Sequence, residues 1–370
     1  MQIKSLELSD IRNYQSLDMS FSGGTNILYG DNAQGKTNIL EAIYMCASTK
    51  SHRGSRDREV IRFGCSEGHI RSMIERDGAT YRIDMHLREG RAKGIAVDGV
   101  RCKRAAELVG RLIVVSFAPE DLAVVKSGPS ERRRFLNMEL CQLDPLYLSQ
   151  LADYNRLLEG RNKVLKDVYD NPGNELLLDV QDEKLAELGD RIIRRRYIFV
   201  RDICEMITPT HERITGGRER LTIKYLPNVM DGGLKAALKN NRRKDIALGQ
   251  TTAGPHKDDF IFTIDDDIDI RRYGSQGQQR TAALSLKLSE IEMVRSIKGE
   301  NPVLLLDDVL SELDVHRQND LLSSIGGIQT IITCTGLDEF ISRRLRIDRV
   351  FRIVGGNVTK ESKADGDINE

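Results

Sequence analysis

A loop able to wrap a phosphate lies near the start of the chain, Gly30-Asp31-Asn32-Ala33-Gln34-Gly35-Lys36-Thr37. Its matching acidic strand, Val303-Leu304-Leu305-Leu306 closing on Asp307-Asp308, comes about 270 residues later. Adjacent βαβ units usually deliver two such elements close together in sequence. A separation this long means that one nucleotide-binding α/β fold is interrupted by a large insertion.

The chemistry of the loop follows from its residue types. Glycines let successive N–H groups point inward around a β-phosphate, and the start of the following helix adds positive potential. Lys36 is placed to bridge β- and γ-phosphates and Thr37 to coordinate Mg²⁺. The pattern sits between a strand, Asn26-Ile27-Leu28-Tyr29, and a helix with Ile39, Leu40 and Ile43 on one face. The Val303–Leu306 run is apolar on both faces, as a central parallel strand requires, and ends in a carboxylate at the edge where open α/β sheets bind ligands. Asp307 is then the Mg²⁺-side acid, and Asp308 the candidate base or water-orienting group.

A third element, Tyr273-Gly274-Ser275-Gln276-Gly277-Gln278-Gln279-Arg280, leads into a helix with Leu284, Leu288, Ile291 and Val294 on one face. Ser275 can act as its N-cap and Gly277 keeps the backbone open. Two readings follow: a plain helix cap, or a helix end presented outward to a γ-phosphate.

Composition narrows the class. With 370 residues, 39% hydrophobic and 30% charged, the chain can build one large or two ordinary cores. No apolar run approaches the roughly 20 residues of a membrane span, and Met1-Gln2-Ile3-Lys4-Ser5 reads as an amphipathic strand, so a cytoplasmic protein without a membrane partner is expected. Cys46, Cys65, Cys102, Cys141, Cys204 and Cys334 show no paired spacing, so reduced, mostly buried thiols are expected. Net charge is zero, but 14 Lys/Arg face 8 Asp/Glu between Lys50 and Arg104. Further basic clusters stand at Arg132-Arg133-Arg134, Arg194-Arg195-Arg196 and Arg242-Arg243-Lys244. Each is either a phosphate-binding face or ordinary solvated helix surface.

Near-alternation of apolar residues predicts strands over the first 30 residues and again to about Val115, with Asp77-Gly78 and Asp98-Gly99 as hairpin turns. After Pro119 the pattern becomes helical. Asp144-Pro145 starts a long amphipathic helix stopped by Asn171-Pro172-Gly173, and a second runs to about Ile207, an antiparallel hairpin in all. Strand character returns near Leu221, Lys235–Asp245 reads as a short helix, and Phe260–Ile264 with Ile268–Tyr273 reads as a hairpin over an acidic turn. The polar stretch from Gly355 to Glu370 reads as frayed.

Phosphate loop, long insertion, Ser-x-Gly-Gln helix start, acidic strand and then Ser311-Glu312-Leu313-Asp314 is the order of ABC-type ATPase heads. Together with Ile11-Arg12-Asn13-Tyr14, Lys50-Ser51-His52-Arg53, Phe117-Ala118-Pro119-Glu120-Asp121-Leu122, Gly254-Pro255-His256-Lys257-Asp258-Asp259 and Leu306-Asp307-Asp308-Val309-Leu310, these motifs make the chain resemble the RecF family of bacterial recombination-mediator ATPases, up to about Phe351. The resemblance implies an SMC- and Rad50-like head with a short helical arm in place of a long coiled coil. It implies an ATP-driven homodimer that binds single- and double-stranded DNA at gaps and, with RecR and RecO, loads RecA. By the same analogy Ser275, Gly277 and Gln278 of one subunit cap the γ-phosphate held by Lys36 of the other, Arg12 and Asn13 lie near the nucleotide, and Ser311 to Asp314 line the seam.

Two positions depart from the broader ABC pattern. Asp308 stands where a glutamate usually polarises water, and Thr335 where a histidine usually senses the γ-phosphate. A shorter carboxylate reaches less far and threonine carries no imidazole charge, so a weak, DNA-dependent ATPase serving mainly as a switch is expected. His52 and Arg53 suit either the nucleotide face or local packing; His256 either orients the segment before the signature helix or is structural.

The expected organisation is an α/β ATPase head from residues 1–120 and 246–370, with a mainly helical lobe over 121–245. ATP with Mg²⁺ is the expected cofactor, held by Arg12, Asn13, Gly30 to Thr37, Ser275, Gly277 and Gln278. Lys36, Asp307 and Asp308 form the catalytic set, and Thr37 and Asp307 the metal ligands. A signature helix that faces away from its own phosphate loop makes two copies necessary. The competing readings are a transporter-type ABC subunit, which usually carries Leu-Ser-Gly-Gly-Gln, and an SMC-like nuclease head, for which no separate acidic cluster is present.

Overall fold

The computed structural model describes residues 1–170, 172–265, 267–337 and 346–363. The chain divides into two compact units, Met1–Asp121 with Glu290–Glu370, and Leu122–Ser289.

The first unit holds two six-stranded sheets. One is antiparallel, built from β1 (Gln2–Ile11), β2 (Tyr14–Ser20), β4 (Glu67–Arg76), β5 (Ala79–Arg88), β6 (Gly94–Val97) and β7 (Val100–Arg101) in the order β2-β1-β4-β5-β6-β7. In β4 exposed and buried residues alternate from Glu67 to Ile70 and beyond, so one face is solvated and the other packed. The hairpin turns fall where expected: Asp77 and Gly78 have φ of 53° and 76°, and Asp98 and Gly99 of 52° and 79°. Both central residues of a tight hairpin turn are thus left-handed, which Asp-Gly tolerates.

The other sheet carries the nucleotide logic. Its strands are β3 (Thr25–Tyr29), β8 (Val114–Phe117), β12 (Val303–Asp307), β13 (Thr330–Cys334), β14 (Ile347–Val354) and β15 (Asn357–Lys363), ordered β15-β14-β3-β13-β12-β8. The pairs β14/β3, β3/β13, β13/β12 and β12/β8 are parallel. Every residue of β12 and of β13 is buried, as a strand covered on both faces requires. The end of the chain corrects the frayed reading: Gly355-Gly356 is a turn and Asn357–Lys363 pairs antiparallel with β14. A polar strand at a sheet edge keeps one face in water, so composition alone hid it. Residues 364–370 lie outside the described residues.

The second unit is mainly helical, with helices Pro129–Leu143, Pro145–Asp170, Leu176–Thr215 and Leu234–Leu248 and a small sheet of β9 (Leu221–Leu226), β10 (Asp259–Ile264) and β11 (Ile268–Asp269), ordered β11-β10-β9. Asp144 starts the Pro145 helix as expected, its carboxylate accepting from Leu146 N–H at 3.0 Å. Two boundaries are corrected. The return to the head falls at Glu290 rather than 246, because β10 pairs with β9 and draws the intervening segment into this unit. The second hairpin strand forms but is limited to Ile268–Asp269, and Ile270–Tyr273 is a helical turn, because the Asp269 side chain caps it through Arg271 N–H.

The arginine clusters of this unit are partly consumed internally. Arg132, only 2% exposed, makes a two-pronged contact to Asp259 at 2.6 and 2.9 Å, and Arg133 donates to Asp258 O at 2.9 Å. Arg194 pairs with Asp231 and Arg195 with Asp144, while Arg196 is buried on Asp258 at 2.9 Å. Arg242 bridges Asp179 and Asp182. Arg134, Arg194, Arg195, Arg243 and Lys244 stay exposed, Arg194 and Arg195 within surface ion pairs. The phosphate-face reading of the three clusters therefore narrows to these residues, since a buried charge must be paired.

Candidate functional site

The phosphate loop leaves β3 at Tyr29 and enters the helix Lys36–Ser48. Three residues bend it: Gly30 at φ 147°, Ala33 at φ 63° and Gly35 at φ 115°. Gly35 is required twice over, because a Cβ there would stand 2.6 Å from Asn13 Nδ2 and 2.7 Å from Tyr14 Oη. Asp31, Asn32 and Ala33 form an exposed arc, while Lys36 is buried and donates from Nζ to Gly30 O and, at 2.8 Å, to Asp31 O.

Because β3, β13 and β12 are neighbours, the loop and the acid meet at the C-terminal edge of the sheet. Thr37 Oγ1 donates to Asp307 Oδ1 at 2.9 Å across 270 residues of sequence. Thr333 donates to the same oxygen at 2.7 Å and accepts from Asp308 N–H at 2.9 Å. Asp308 is partly exposed and holds φ of 53°, a left-handed conformation in a non-glycine residue at the point where the strand ends. Thr335 is exposed just past the end of β13.

Thr333 was invisible to motif reading. It is one of two threonines in a buried strand, and its role comes from the parallel register that sets it beside Asp307. Gln34 of the phosphate-loop motif gains a tertiary partner that its motif does not encode. Its side-chain oxygen accepts from Gly355 N–H at 2.6 Å and its carbonyl from Gly356 N–H at 3.1 Å, so the β14/β15 turn props the phosphate loop.

Asn13 lies at the loop, with Nδ2 donating to Gln34 O at 2.9 Å and Oδ1 accepting from Asn38 at 2.8 Å. Arg12 sits differently. Its guanidinium forks onto Glu41 at 2.8 and 2.7 Å and also donates to Ser55 Oγ and Glu59 O. Glu41, 1% exposed, lies in the phosphate-loop helix and also accepts from Ser51 Oγ. Burial alone would raise its carboxyl pKa, but the hydrogen bonds from Arg12 and Ser51 outweigh it and hold the group below the usual range. Arg12 thus clamps the helix rather than facing the exposed arc.

Arg12→Ala leaves a buried carboxylate without its counter-charge and is expected to cost about 3–5 kcal/mol in urea unfolding at neutral pH. A folded pKa below the unfolded one stabilises above the ordinary carboxylate range and is lost as pH falls through the folded value. The gap between wild type and variant therefore closes on acidification. An unchanged urea midpoint at pH 7 would refute the clamp.

His52 packs edge-on against Tyr44, with ring centroids 5.4 Å apart. Burial lowers its pKa, while the nearby carboxylates of Glu41, Asp307, Asp121 and Glu120 pull it upward. Arg53, next to it, is exposed. His256 is structural: Nδ1 meets Tyr154 Oη at 2.8 Å and Nε2 meets Thr251 O at 3.0 Å.

In the second unit Ser275 is the N-cap of the helix Gln276–Lys298. Its Oγ accepts from Gln278 N–H at 3.2 Å and Gln278 Oε1 accepts from Ser275 N–H at 2.8 Å, a reciprocal capping box. Gln278 Nε2 also donates to Glu219 at 3.0 Å. The Gln278 amide is thus engaged at both ends, and Ser275 and Gln276 form the exposed part of the helix start; Gly277 is half-buried. Of the seam residues, Ser311 donates to Asp308 O at 2.7 Å and Asp314 caps the helix Val315–Ser324 through Arg317 N–H; the Glu312 side chain lies outside the described residues.

The donor set fits a nucleotide with a hard divalent cation. The left-handed kinks open an arc of backbone, Lys36 supplies a buried ammonium, and a hydroxyl and a carboxylate converge at Thr37 and Asp307, the oxygen ligands Mg²⁺ prefers. Among the described residues no helix is long and apolar enough to cross a membrane, and the six cysteines are free.

Residues 2–354 match the family model for the RecF/RecN/SMC N-terminal domain. A DNA replication and repair protein RecF of Lachnospira eligens is 54% identical over 98% of this chain and 100% of its own length. Its counterpart in Agathobacter rectalis is 55% identical over 97% and 99%. A solved structure of the recombination mediator RecF with ATP, in the RecFOR pathway, superposes with a TM-score of 0.90 at 35% identity, covering 98% of this chain and 97% of that one. An Smc head bound to the winged-helix domain of ScpA shares the fold at TM-score 0.57 and 15% identity. The chain belongs to the RecF/RecN/SMC N-terminal family of ABC-type P-loop ATPases, and within it to the RecF group of DNA replication and repair proteins.

Proposed function

We propose that this chain is an ATP-driven clamp of recombinational DNA repair: two copies close around two ATP molecules, bind gapped DNA, and with RecR and RecO promote RecA loading until slow hydrolysis releases them. The observation that carries the reading is the Thr37–Asp307 contact, which joins phosphate loop and acidic strand into one site despite their distance in sequence. The second support is the capped, exposed start of the helix at Ser275, an end available to a phosphate from another subunit.

In this mechanism the Gly30–Thr37 backbone and Lys36 bind the polyphosphate, and Thr37 with Asp307 hold Mg²⁺. Bound Mg²⁺ supplies charge neutralisation at the phosphate oxygens. Thr333 keeps the Asp307 carboxylate turned toward Thr37 and holds the Asp308 backbone, so that Asp308 accepts a proton from the attacking water. Asp308 reaches less far than a glutamate and Thr335 carries no charge, which keeps turnover slow, below about 1 s⁻¹. Ser275, Gly277 and Gln278 of the partner complete the γ-phosphate site, and Gln278 exchanges its intramolecular contacts for it. ATP favours closure because those contacts exist only in the dimer. DNA meets the exposed arginines and lysines of the Lys50–Arg104 segment, among them Arg53, Arg56, Arg58 and Arg91, giving salt-dependent binding with little sequence preference.

Analytical sedimentation tests this directly. Saturation with a non-hydrolysable ATP analogue and Mg²⁺ doubles the mass, ADP does not, and only the ATP-analogue form retards a gapped duplex. A chain that stays monomeric with the analogue would overturn the proposal, and dimerisation without DNA retention would point to the transporter-type reading instead.

A further inference from the structure

On the solvated face of the first sheet, away from the phosphate loop in chain position and in role, stand three side chains with metal-ligand chemistry. His69 in β4 and His86 in β5 are directly opposite each other in the antiparallel register. Glu67 lies two residues before His69 and therefore on the same face. The two imidazole rings stack with centroids 4.0 Å apart and planes 23° from parallel, and His86 Nε2 lies 2.9 Å from Glu67 Oε2. One donor atom from each of the three residues lies within 4.8 Å of the other two.

We propose that Glu67, His69 and His86 form a Zn²⁺ site that staples β4 to β5, with a fourth coordination position open to solvent. Zn–N and Zn–O bonds of about 2.0–2.2 Å put donors of a tetrahedral site roughly 3.3–3.5 Å apart. The three donors need to draw together by only about 1.5 Å, which side-chain torsions supply while the strands keep their pairing. Two neutral imidazoles and one carboxylate form a borderline donor set that suits Zn²⁺ or Co²⁺ and disfavours the all-oxygen preference of Mg²⁺.

The surroundings leave the trio available. His69 and His86 line a groove of about 730 Å³ on this sheet face, so an ion and its water have room. Arg71, the neighbouring cation on β4, is held by Asp84 at 2.7 Å and Glu7 at 3.1 Å. Arg88 stands opposite Glu67 in the register, yet the Glu67 carboxylate turns to His86. None of the three residues belongs to the nucleotide site.

The test is calorimetric titration of the full, nucleotide-free chain with Zn²⁺ in excess Mg²⁺, beside His69→Ala/His86→Ala, Glu67→Gln and Cys65→Ser. One Zn²⁺ per chain with a rise in Tm, weakened at least 100-fold in the double variant and about tenfold in Glu67→Gln, is expected, with Cys65→Ser unchanged. All three ligands are on the sheet surface, and unchanged far-ultraviolet circular dichroism verifies that the variants fold. Absence of binding, binding that survives the double histidine variant, or binding abolished by Cys65→Ser would each overturn the site.

Discussion

Lys36→Met abolishes ATP affinity and ATP-dependent dimerisation together. Methionine keeps the length and buried stem of the side chain but removes the charge and all three donors. A charge-assisted contact to phosphate contributes about 3 kcal/mol at its upper range, so affinity falls by roughly two orders of magnitude or more. The loop also loses the Nζ bonds to Gly30 O and Asp31 O. Equilibrium binding of a fluorescent ATP analogue and sedimentation with it measure both losses. Retention of either one would show that Lys36 does not hold the nucleotide that drives closure.

Ser275→Arg separates the two losses. Nucleotide binding by the monomer stays near wild type, because the Gly30–Thr37 loop is untouched, while the closed dimer disappears: a guanidinium at the helix start occupies the space a partner's phosphate needs. Loss of the Ser275–Gln278 cap costs only about 1 kcal/mol, and Ser275→Ala isolates that part by removing the cap without adding bulk. Dimerisation that persists in Ser275→Arg, or ATP binding lost to the same degree as dimerisation, would place Ser275 outside a shared site or inside its own subunit's pocket.

Motif reading succeeded where the chemistry is local. A loop, a cap and a hairpin turn are specified by consecutive residues, so Gly30 to Thr37, the Ser275 cap and the Asp77-Gly78 and Asp98-Gly99 turns are legible in the sequence. The arginine clusters are the converse case, because the partners of their buried members lie far away in sequence. Arg132 is neutralised by Asp259, 127 residues away, and Arg196 by Asp258, 62 away. Arg12 is a further case beside the phosphate loop, its guanidinium engaged by Glu41, 29 residues away.

By itself the sequence determined the class of the protein: a split α/β nucleotide fold, its phosphate loop, its acidic strand and its capped signature helix, each encoded in a short run of residue types. Tertiary structure alone decided which distant residues meet. Thr333 reaches Asp307 only through parallel register, the Gly355-Gly356 turn supports Gln34 only because the last strand pairs at the sheet edge, and His69 meets His86 only across β4 and β5. These are contacts between residues far apart in the chain, set by strand order and register, and no local pattern encodes them.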